Sequence, residues 1–277
     1  AGAHFGHKKD KMESRMKKYI YGLRGGIHII DLEKTTRLLN KAYEELKDIA
    51  SNGGKVLFVG TKKQAADAIR ENAERCGAFY VNSRWLGGTL TNYKTIKKSI
   101  DKLFELEAVD TSKMNSKELS LHNRNLEKLK RNFSGIRDMK KLPNALFVAS
   151  VDKDYIAVDE ATRLGIPVFA IVDTDINPDK IDHIIPANDD AVRSISLILQ
   201  TLSNAVIAGT KGELIKEENK DSEAKSAEEK VDTVKGSTEE KTTENKLIFR
   251  DVCFSKLTSE EVLNIQIKLE EIINKVD

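Results

Sequence analysis

The chain has few of the residues that make covalent or metal-held frameworks. Only two cysteines, Cys76 and Cys253, occur in 277 residues, and their spacing fits neither a disulfide framework nor a zinc site. We therefore expect both to be reduced thiols in a cytoplasmic protein. No apolar run approaches the roughly 18 to 20 residues that a membrane span needs, and no signal peptide is recognisable. The sequence therefore predicts no membrane partner.

Signatures of catalysis and of nucleotide binding are also missing. The run V-L-F-V-G-T-K-K at 56–63 predicts a strand that leads into a helix, where a phosphate could lie beside Lys62 or Lys63. It lacks both glycine patterns, G-x-G-x-x-G and G-x-x-x-x-G-K-[ST], with which a backbone wraps phosphates. No Ser/His/Asp or Cys/His combination stands out either. The sequence predicts a protein that is not an enzyme and has no cofactor or small-molecule substrate; the alternative is an α/β enzyme that binds a nucleotide or a sugar phosphate.

Two groups of side chains could in principle hold a metal ion. Five aspartates follow predicted strand ends, where open α/β sheets hold ligands, and they could bind Mg²⁺ or act as acid and base. Helix capping and turn formation explain the same residues, and we favour that interpretation. His4 and His7 could share a metal with a downstream carboxylate, but only two ligands are visible where three or four are needed. No metal site is predicted. The aspartates are Asp173, Asp175, Asp179, Asp189 and Asp190.

Charge is unevenly distributed along the chain, although the net charge is only +2. Residues 1–100 hold 20 Lys and Arg against 10 Asp and Glu, whereas residues 211–246 hold 8 against 11. A basic N-terminal part followed by an acidic tail indicates an anionic partner for the first part, and nucleic acid is the leading candidate. For any single lysine, exposure to solvent is the simpler explanation.

Two segments of this basic part are expected to contact the partner. Residues 1–18 hold many lysines and little to bury, so they predict an extended arm that a partner orders, with a β-hairpin following up to residue 30. Residues 82–92 read N-S-R-W-L-G-G-T-L-T-N and combine the only tryptophan, Trp85, with a permissive Gly-Gly pair. In the same loop, Arg84 can bind a phosphate or stack on a base. The alternative for this loop is a turn that a core tryptophan anchors.

Continuous apolar strands alternate with helices through residues 31–90 and 135–208, which predicts a doubly wound parallel sheet in one α/β domain. Residues 91–134 interrupt this domain with two apolar seams at helical spacing. They predict an inserted antiparallel coiled-coil hairpin. The first seam is Tyr93, Ile96, Ile100 and Leu103, and the second is Leu119, His122, Leu126, Leu129 and Phe133.

The last part of the chain differs in composition. After a helix that is expected to end at Ile207, residues 209–246 are rich in Lys, Glu, Ser and Thr and predict a disordered, charged linker. Residues 247–277 regain aliphatic side chains and predict a helical extension that docks on a partner.

Six distinctive motifs occur along the first three quarters of the chain. They are A-G-A-H-F-G-H (1–7), Y-G-x-R-x-G-I-H-I-I-D-L-E-K-T (21–35), V-L-F-V-G-T-K (56–62), R-W-L-G-G-T-L-T-N (84–92), L-P-N-A-L-F-V (142–148) and G-I-P-V-F-A-I-V-D-T (165–174). In this order they resemble the motifs of bacterial small-subunit ribosomal protein two, over roughly residues 1–208. The arm departs from the family pattern, because it has M-E-S-R-M at 12–16 where members commonly have W-N-P-K-M, so an aromatic contact there is not carried over.

This resemblance implies a flavodoxin-like sheet with a protruding coiled-coil hairpin, in a non-enzymatic structural constituent of the small ribosomal subunit. Members of the family bind small-subunit ribosomal RNA, contact other small-subunit proteins and support docking of ribosomal protein one during translation. The residues expected to contact RNA lie in the arm, the β-hairpin and near the loop at 82–92. They are Lys8, Lys9, Lys11, Arg15, Lys17, Lys18, Arg24, Lys62, Lys63, Arg84, Trp85, Asn92 and Lys94.

Overall fold

The computed structural model describes residues 1–110 and 114–228, with 212–228 described by the backbone alone. Its first element is a small antiparallel sheet, ordered β1-β3-β2. The strands β2 and β3 form the hairpin that the sequence predicts. The three strands are β1 (Phe5–Lys8), β2 (Ile20–Arg24) and β3 (Ile27–Ile30).

The larger sheet has five parallel strands in the order β5-β4-β6-β7-β8. Its central strands are apolar on both faces, which is what a sheet covered by helices on both sides requires. This confirms the predicted mixed α/β class with a parallel sheet. The strands are β4 (Val56–Val59), β5 (Phe79–Val81), β6 (Ala145–Val148), β7 (Val168–Val172) and β8 (His183–Pro186).

Helices cover the two faces of this sheet and create two separate hydrophobic cores. The first, second and last helices pack on one face, while the helices between β5 and β7 pack on the other. Asp31 caps the first helix, because its carboxylate accepts hydrogen bonds from the amides of Glu33 and Lys34. The helices are α1 (Leu32–Ser51), α2 (Lys63–Cys76), α3 (Tyr93–Ala108), α4 (Ser116–Phe133), α5 (Val151–Leu164) and α6 (Val192–Glu228).

The insertion at 91–134 consists of α3 and α4, which are antiparallel where they contact each other. At the start of α3, the Tyr93 hydroxyl donates to the Met139 carbonyl beyond α4, and near its end Glu107 lies 3.2 Å from Lys130 Nζ. The helix α3 therefore faces the C-terminal half of α4. In the first half of α4, Leu119 and Leu121 are 36% and 58% exposed.

The N-terminal arm is better anchored in the fold than the sequence predicts. Residues of β1 pair with β3, and Met16 is fully buried in the core beneath the sheet. Gly6 is required for this approach, because a Cβ atom there would lie 2.6 Å from the Thr174 side chain and 3.1 Å from the His28 carbonyl. The prediction of an arm with little to bury is therefore wrong for these residues. The approach of Gly6 to Thr174 links positions more than 150 residues apart, which no local pattern reveals.

The helix α6 also differs from the prediction, because it continues to Glu228 instead of ending at Ile207. Residues 209–228, expected as coil, are rich in Glu and Lys, which favour helix. Among the described residues, one window, Val192–Lys211, is long and apolar enough to cross a membrane by composition alone. Half of it is buried against the body, as in the core helix of a folded domain. The rest of the predicted linker and the extension at 247–277 lie outside the described residues.

Candidate nucleic-acid interface

The loop at 82–92 leaves the carboxyl end of β5, and its tryptophan points inward. Trp85 is only 7% exposed and belongs to the core beneath the sheet. Its indole N–H donates to Glu160 Oε1 at 3.1 Å. The structure therefore favours the alternative interpretation, a turn that a core tryptophan anchors, over a contact of Trp85 with RNA. The physical reason is that burying a large aromatic ring is strongly favourable when its N–H finds a partner.

Glu160, on α5, organises this loop, although little in the sequence indicates it. The carboxylate accepts hydrogen bonds from the Trp85 indole, from the Thr91 hydroxyl at 3.0 Å, and from three backbone amides. Those amides belong to Gly88, Leu90 and Thr91, at 2.7, 2.9 and 3.0 Å. Gly88 reaches its position with φ of +89°, a conformation that favours glycine. The only sequence signal is a glutamate beside the apolar face of α5.

The ionised form of Glu160 is favoured by this arrangement. Burial raises the pKa of the carboxyl, but the hydrogen bonds from Thr91, Trp85, Gly88 and Leu90 outweigh burial and leave the pKa below its usual value. The loop is consequently held by a buried negative charge. Arg84 and Asn92 are exposed on the outer side of the loop.

Three of the predicted contact residues lie on the outer side of this loop and the start of α3. Arg84, Asn92 and Lys94 are all exposed. Asn92 precedes α3, and its side chain accepts a hydrogen bond from the Thr95 hydroxyl at 3.0 Å. Arg84, in the loop, and Lys94, in the first turn of α3, are therefore exposed cations.

The predicted cations of the arm and of the β-hairpin are mostly exposed as well. Arg15 differs from the others, because its guanidinium lies 2.6 Å from the carboxylate of Asp179, so it already has an internal partner. The Lys18 ammonium lies 5.0 Å from the centre of the Tyr19 ring. The exposed cations of these two segments are Lys8, Lys9, Lys11, Lys17, Lys18 and Arg24.

Lys62 and Lys63 are adjacent in sequence but lie in different surroundings. Lys63 is exposed at the start of α2. The Lys62 side chain is only 16% exposed, and its ammonium lies 3.0 Å from Asp189 and 2.6 Å from Asp190. Burial lowers the pKa of Lys62, but these two carboxylates outweigh it and raise the pKa. Lys62 is therefore a structural ion-pair partner, which disfavours the predicted contact of Lys62 with RNA.

Two carboxylates at this edge also accept hydrogen bonds from within the chain. Asp154, on α5, accepts hydrogen bonds from the backbone amide and the hydroxyl of Thr61 at 3.0 and 2.8 Å. Asp189 accepts one from the Ser150 hydroxyl at 2.6 Å. The arm lies across the same edge, since the His7 amide donates to the Thr174 hydroxyl at 2.8 Å and the Asn188 amide group donates to the Phe5 carbonyl at 2.6 Å. This edge, where open α/β sheets usually bind ligands, is thus largely filled by the chain itself.

A basic surface on α4 is an addition to the contacts predicted from the sequence. Arg124, Lys128 and Arg131 recur at i, i+4 and i+7 and are exposed on the face opposite the apolar seam. Within the described part of the chain, none of the three forms an ion pair. They span about 10 Å of helix, since each residue adds about 1.5 Å. The sequence did not reveal this surface, because the heptad seam identifies only the apolar face of α4. Charged residues on the opposite face are ordinarily explained by exposure to solvent.

Comparison with known proteins identifies the family. Residues 1–209 match the family described as Ribosomal protein S2. The chain belongs to the ribosomal protein S2 family. It is 52% identical over 217 residues to small ribosomal subunit protein uS2 of Fusobacterium nucleatum subsp. nucleatum, covering 76% of this chain and 88% of that protein. It is 50% identical over 218 residues to small ribosomal subunit protein uS2 of Petrotoga mobilis, covering 77% and 76%.

Membership of the ribosomal protein S2 family confirms two predictions from the sequence. The resemblance to small-subunit ribosomal protein two is correct and ends where the composition changes, at residue 209. The predicted role as a structural constituent of the small ribosomal subunit is confirmed at the level of the family. Membership of this family implies a protein that is not an enzyme.

Proposed function

We propose that this member of the ribosomal protein S2 family binds small-subunit ribosomal RNA in the bacterial cytoplasm through two exposed basic surfaces. The arm surface comprises the exposed lysines of residues 8–18, and the α4 surface comprises Arg124, Lys128 and Arg131. The observation that carries the proposal is that these cations are exposed, while Lys62 is largely buried between Asp189 and Asp190 and Arg15 forms a surface ion pair with Asp179. Contacts to phosphates supply most of the affinity of such surfaces.

The two surfaces belong to different parts of the fold, which suits recognition of a folded RNA by shape. The arm surface lies beside the small sheet, and the α4 surface lies on the inserted helices. Folded RNA is bound largely through its phosphates and its shape, because side chains cannot read the deep major groove of its helices. Arg84, Lys94, Asn92, Lys63 and Arg24 are proposed as further contacts, since each is exposed.

We infer that the body has the flavodoxin-like form of the doubly wound fold. In chain order the five parallel strands are arranged 2-1-3-4-5, which is the flavodoxin arrangement. The antiparallel contacts of α3 with the second half of α4 support a coiled-coil hairpin at 91–134, inserted between the halves 31–90 and 135–208 of one α/β domain. The segment 1–30 forms the basic arm and β-hairpin.

Protein partners are expected on apolar surfaces rather than basic ones. On the small sheet, Phe5, Tyr21 and Leu23 are 49%, 82% and 49% exposed, and they line a shallow groove. An exposed apolar cluster of this kind is typical of a protein contact. It supports the proposal that the chain contacts other small-subunit proteins and assists docking of ribosomal protein one.

The salt dependence of RNA binding tests the arm surface. Replacing Lys8, Lys9 and Lys11 with Gln should lower the slope of log affinity against log salt by about 0.7 to 0.9 for each phosphate that the variant no longer binds. Binding of the full chain to purified small-subunit ribosomal RNA would be measured between low and moderate salt.

The matched control removes three positive charges from other parts of the surface. Lys41, Lys55 and Lys153 are exposed on α1, before β4 and on α5, and their replacement with Gln should leave the slope nearly unchanged. Equal effects of the two triple variants would show that only the overall charge matters, and would contradict the proposed arm surface.

A further inference from the structure

A groove lies between α5 and the loop that follows β7. Val151, Tyr155 and Val158 line it from α5, and they share one face of the helix because they recur at i, i+4 and i+7. Ile176 and Ile181 line it from the loop. The groove encloses about 290 Å³, at the small end of the range of about 300 to 1,000 Å³ for ligand pockets. It therefore has room for individual side chains of a partner.

Contacts within the chain form this groove without a partner. The Lys180 ammonium lies 2.7 Å from Asp159 Oδ1 and so ties the loop to α5. Within the loop, the Pro178 carbonyl accepts a hydrogen bond from the Ile181 amide at 3.1 Å. A site that is already formed binds at a lower cost in conformational entropy than one that must first be ordered.

The groove combines a buried apolar floor with an exposed aromatic ring. Val151, Val158 and Ile181 are 9%, 3% and 7% exposed, since they also belong to the core beneath the sheet. Tyr155 is 57% exposed, and its neighbour Ile156 is 38% exposed. A partly exposed tyrosine beside apolar side chains is typical of the centre of a protein contact, because the ring offers a large apolar area with a polar end.

The polar groups of the groove lie at its rim. Asp152, Asn177 and Lys180 are exposed, and Asp159 is half-buried, so none of the described polar residues that line the groove is buried. Sites for small molecules instead place a few polar groups among their apolar walls, where they fix the orientation of the ligand. The groove therefore suits a protein segment better than a small molecule.

The charge around the groove is opposite to that of the arm surface and the α4 surface. The segments 151–160 and 173–182, which supply its lining residues, hold eight Asp and Glu against two Lys. Lys180 is already paired with Asp159, whereas Asp152 forms no ion pair with the described residues. This field repels phosphates and attracts cationic side chains.

We propose that this groove binds a basic peptide segment of another protein. One large apolar side chain of the segment enters the groove beside Tyr155, and flanking Lys or Arg side chains approach the carboxylates at the rim. The apolar contact supplies most of the affinity, while the charges raise the association rate and set the orientation. The groove shares no residue with the apolar cluster on the small sheet, and its partner does not depend on RNA binding.

A synthetic peptide tests the groove. The probe is the fluorescein-labelled peptide G-K-R-F-R-K-G, whose binding to the full chain is measured by fluorescence anisotropy and stopped-flow mixing. A second peptide with serine in place of phenylalanine keeps the charge and lacks the apolar anchor. We expect one phenylalanine peptide to bind per chain, about tenfold more tightly than the serine peptide.

Variants of the chain locate the binding site. Tyr155→Ser should weaken binding of the phenylalanine peptide about tenfold, mainly through faster dissociation. Asp152→Lys should slow association and reduce its salt dependence, because it replaces a carboxylate at the rim with a cation. Leu197→Ser is the matched control for the first, since Leu197 is 53% exposed on α6, and Glu71→Lys on α2 is the control for the second. Both controls should bind the peptide as the wild type does.

Four results would overturn the proposal. The first is an absence of peptide binding, and the second is equal binding of the serine peptide or an equal loss in the controls, which would indicate attraction by overall charge alone. The third is a lower affinity of Tyr155→Ser for purified small-subunit ribosomal RNA, which would assign the groove to RNA. The fourth is a wild-type dimer in sedimentation that Tyr155→Ser dissociates, which would assign the groove to a second copy of the chain. If Asp152→Lys fails to fold, Tyr155→Ser decides, because its side chain is largely exposed.

Discussion

The carboxyl edge of the parallel sheet and the outer face of α4 both carry conspicuous charge, but they use it differently. At the edge, Lys62 is largely buried between Asp189 and Asp190, and the Glu160 carboxylate on α5 accepts five hydrogen bonds from the loop at 82–92. On α4, Arg124, Lys128 and Arg131 are exposed. The first region holds the fold together, and the second is free to contact an anionic partner.

The difference shows that residue type alone does not decide whether a cation binds RNA. Lys62 and Lys63 are neighbours in a basic run, yet only Lys63 faces solvent. What separates them is the set of carboxylates that the fold brings to each position. A charge paired in the folded protein contributes to stability, whereas an exposed one contributes to association. Substitutions in the two regions should therefore affect different measurements.

The largest effect is expected for Glu160→Ala. The change leaves the buried Trp85 indole N–H and the amides of Gly88 and Leu90 without their acceptor, and each such donor costs about 1 to 3 kcal/mol. We expect the free energy of unfolding, measured in urea, to fall by at least about 3 kcal/mol. Glu71→Gln on the exposed face of α2 is the control and should change it by less than about 0.5 kcal/mol.

The pH dependence of the free energy of unfolding provides a second test of the role of Glu160. Its pKa is lower in the folded protein than in the unfolded chain, so the ionised carboxylate stabilises the fold above about pH 4.5. That stabilisation is lost as the pH falls through the folded pKa. Glu160→Gln should therefore flatten the acid side of the stability curve. A variant that remains as acid-sensitive as the wild type would show that Glu160 does not hold the loop by its charge.

A smaller decrease in stability is expected for Lys62→Gln. Removing the ammonium leaves Asp189 and Asp190 unpaired, and Asp189 is only 3% exposed, so we expect a decrease of about 2 to 3 kcal/mol. The salt slope of RNA binding should not change, because Lys62 is not available to a phosphate. Lys63→Gln should behave in the opposite way, with unchanged stability and a lower slope. If Lys62→Gln lowered the slope and spared the stability, the distinction between the two regions would fail.

Local patterns account for much of the fold and little of the site. The apolar runs at β4, β6 and β7 and the Asp31 cap of α1 depend on neighbouring residues, so the sequence predicts them. The Trp85–Glu160 hydrogen bond joins positions 75 residues apart, and no period or motif links them.

The anchoring of the arm and the end of α6 could not be predicted from local patterns either. Burial of Met16 and the close approach of Gly6 to Thr174 depend on where β7 ends, which a single sequence does not reveal. For residues 209–228, the polar composition predicts coil, but Lys and Glu are also good helix formers. In both places, more than one structure is compatible with the local composition.

The most direct test of the account is the salt dependence of RNA binding by a variant with Arg124→Gln, Lys128→Gln and Arg131→Gln. The side chains are exposed and opposite the seam, so the free energy of unfolding should stay within about 0.5 kcal/mol of the wild type. The slope of log affinity against log salt should fall by about 0.7 to 0.9 for each phosphate that is no longer bound, whereas the Lys41, Lys55 and Lys153 control should keep its slope. A folded α4 variant with an unchanged slope would contradict the claim that this exposed face binds RNA.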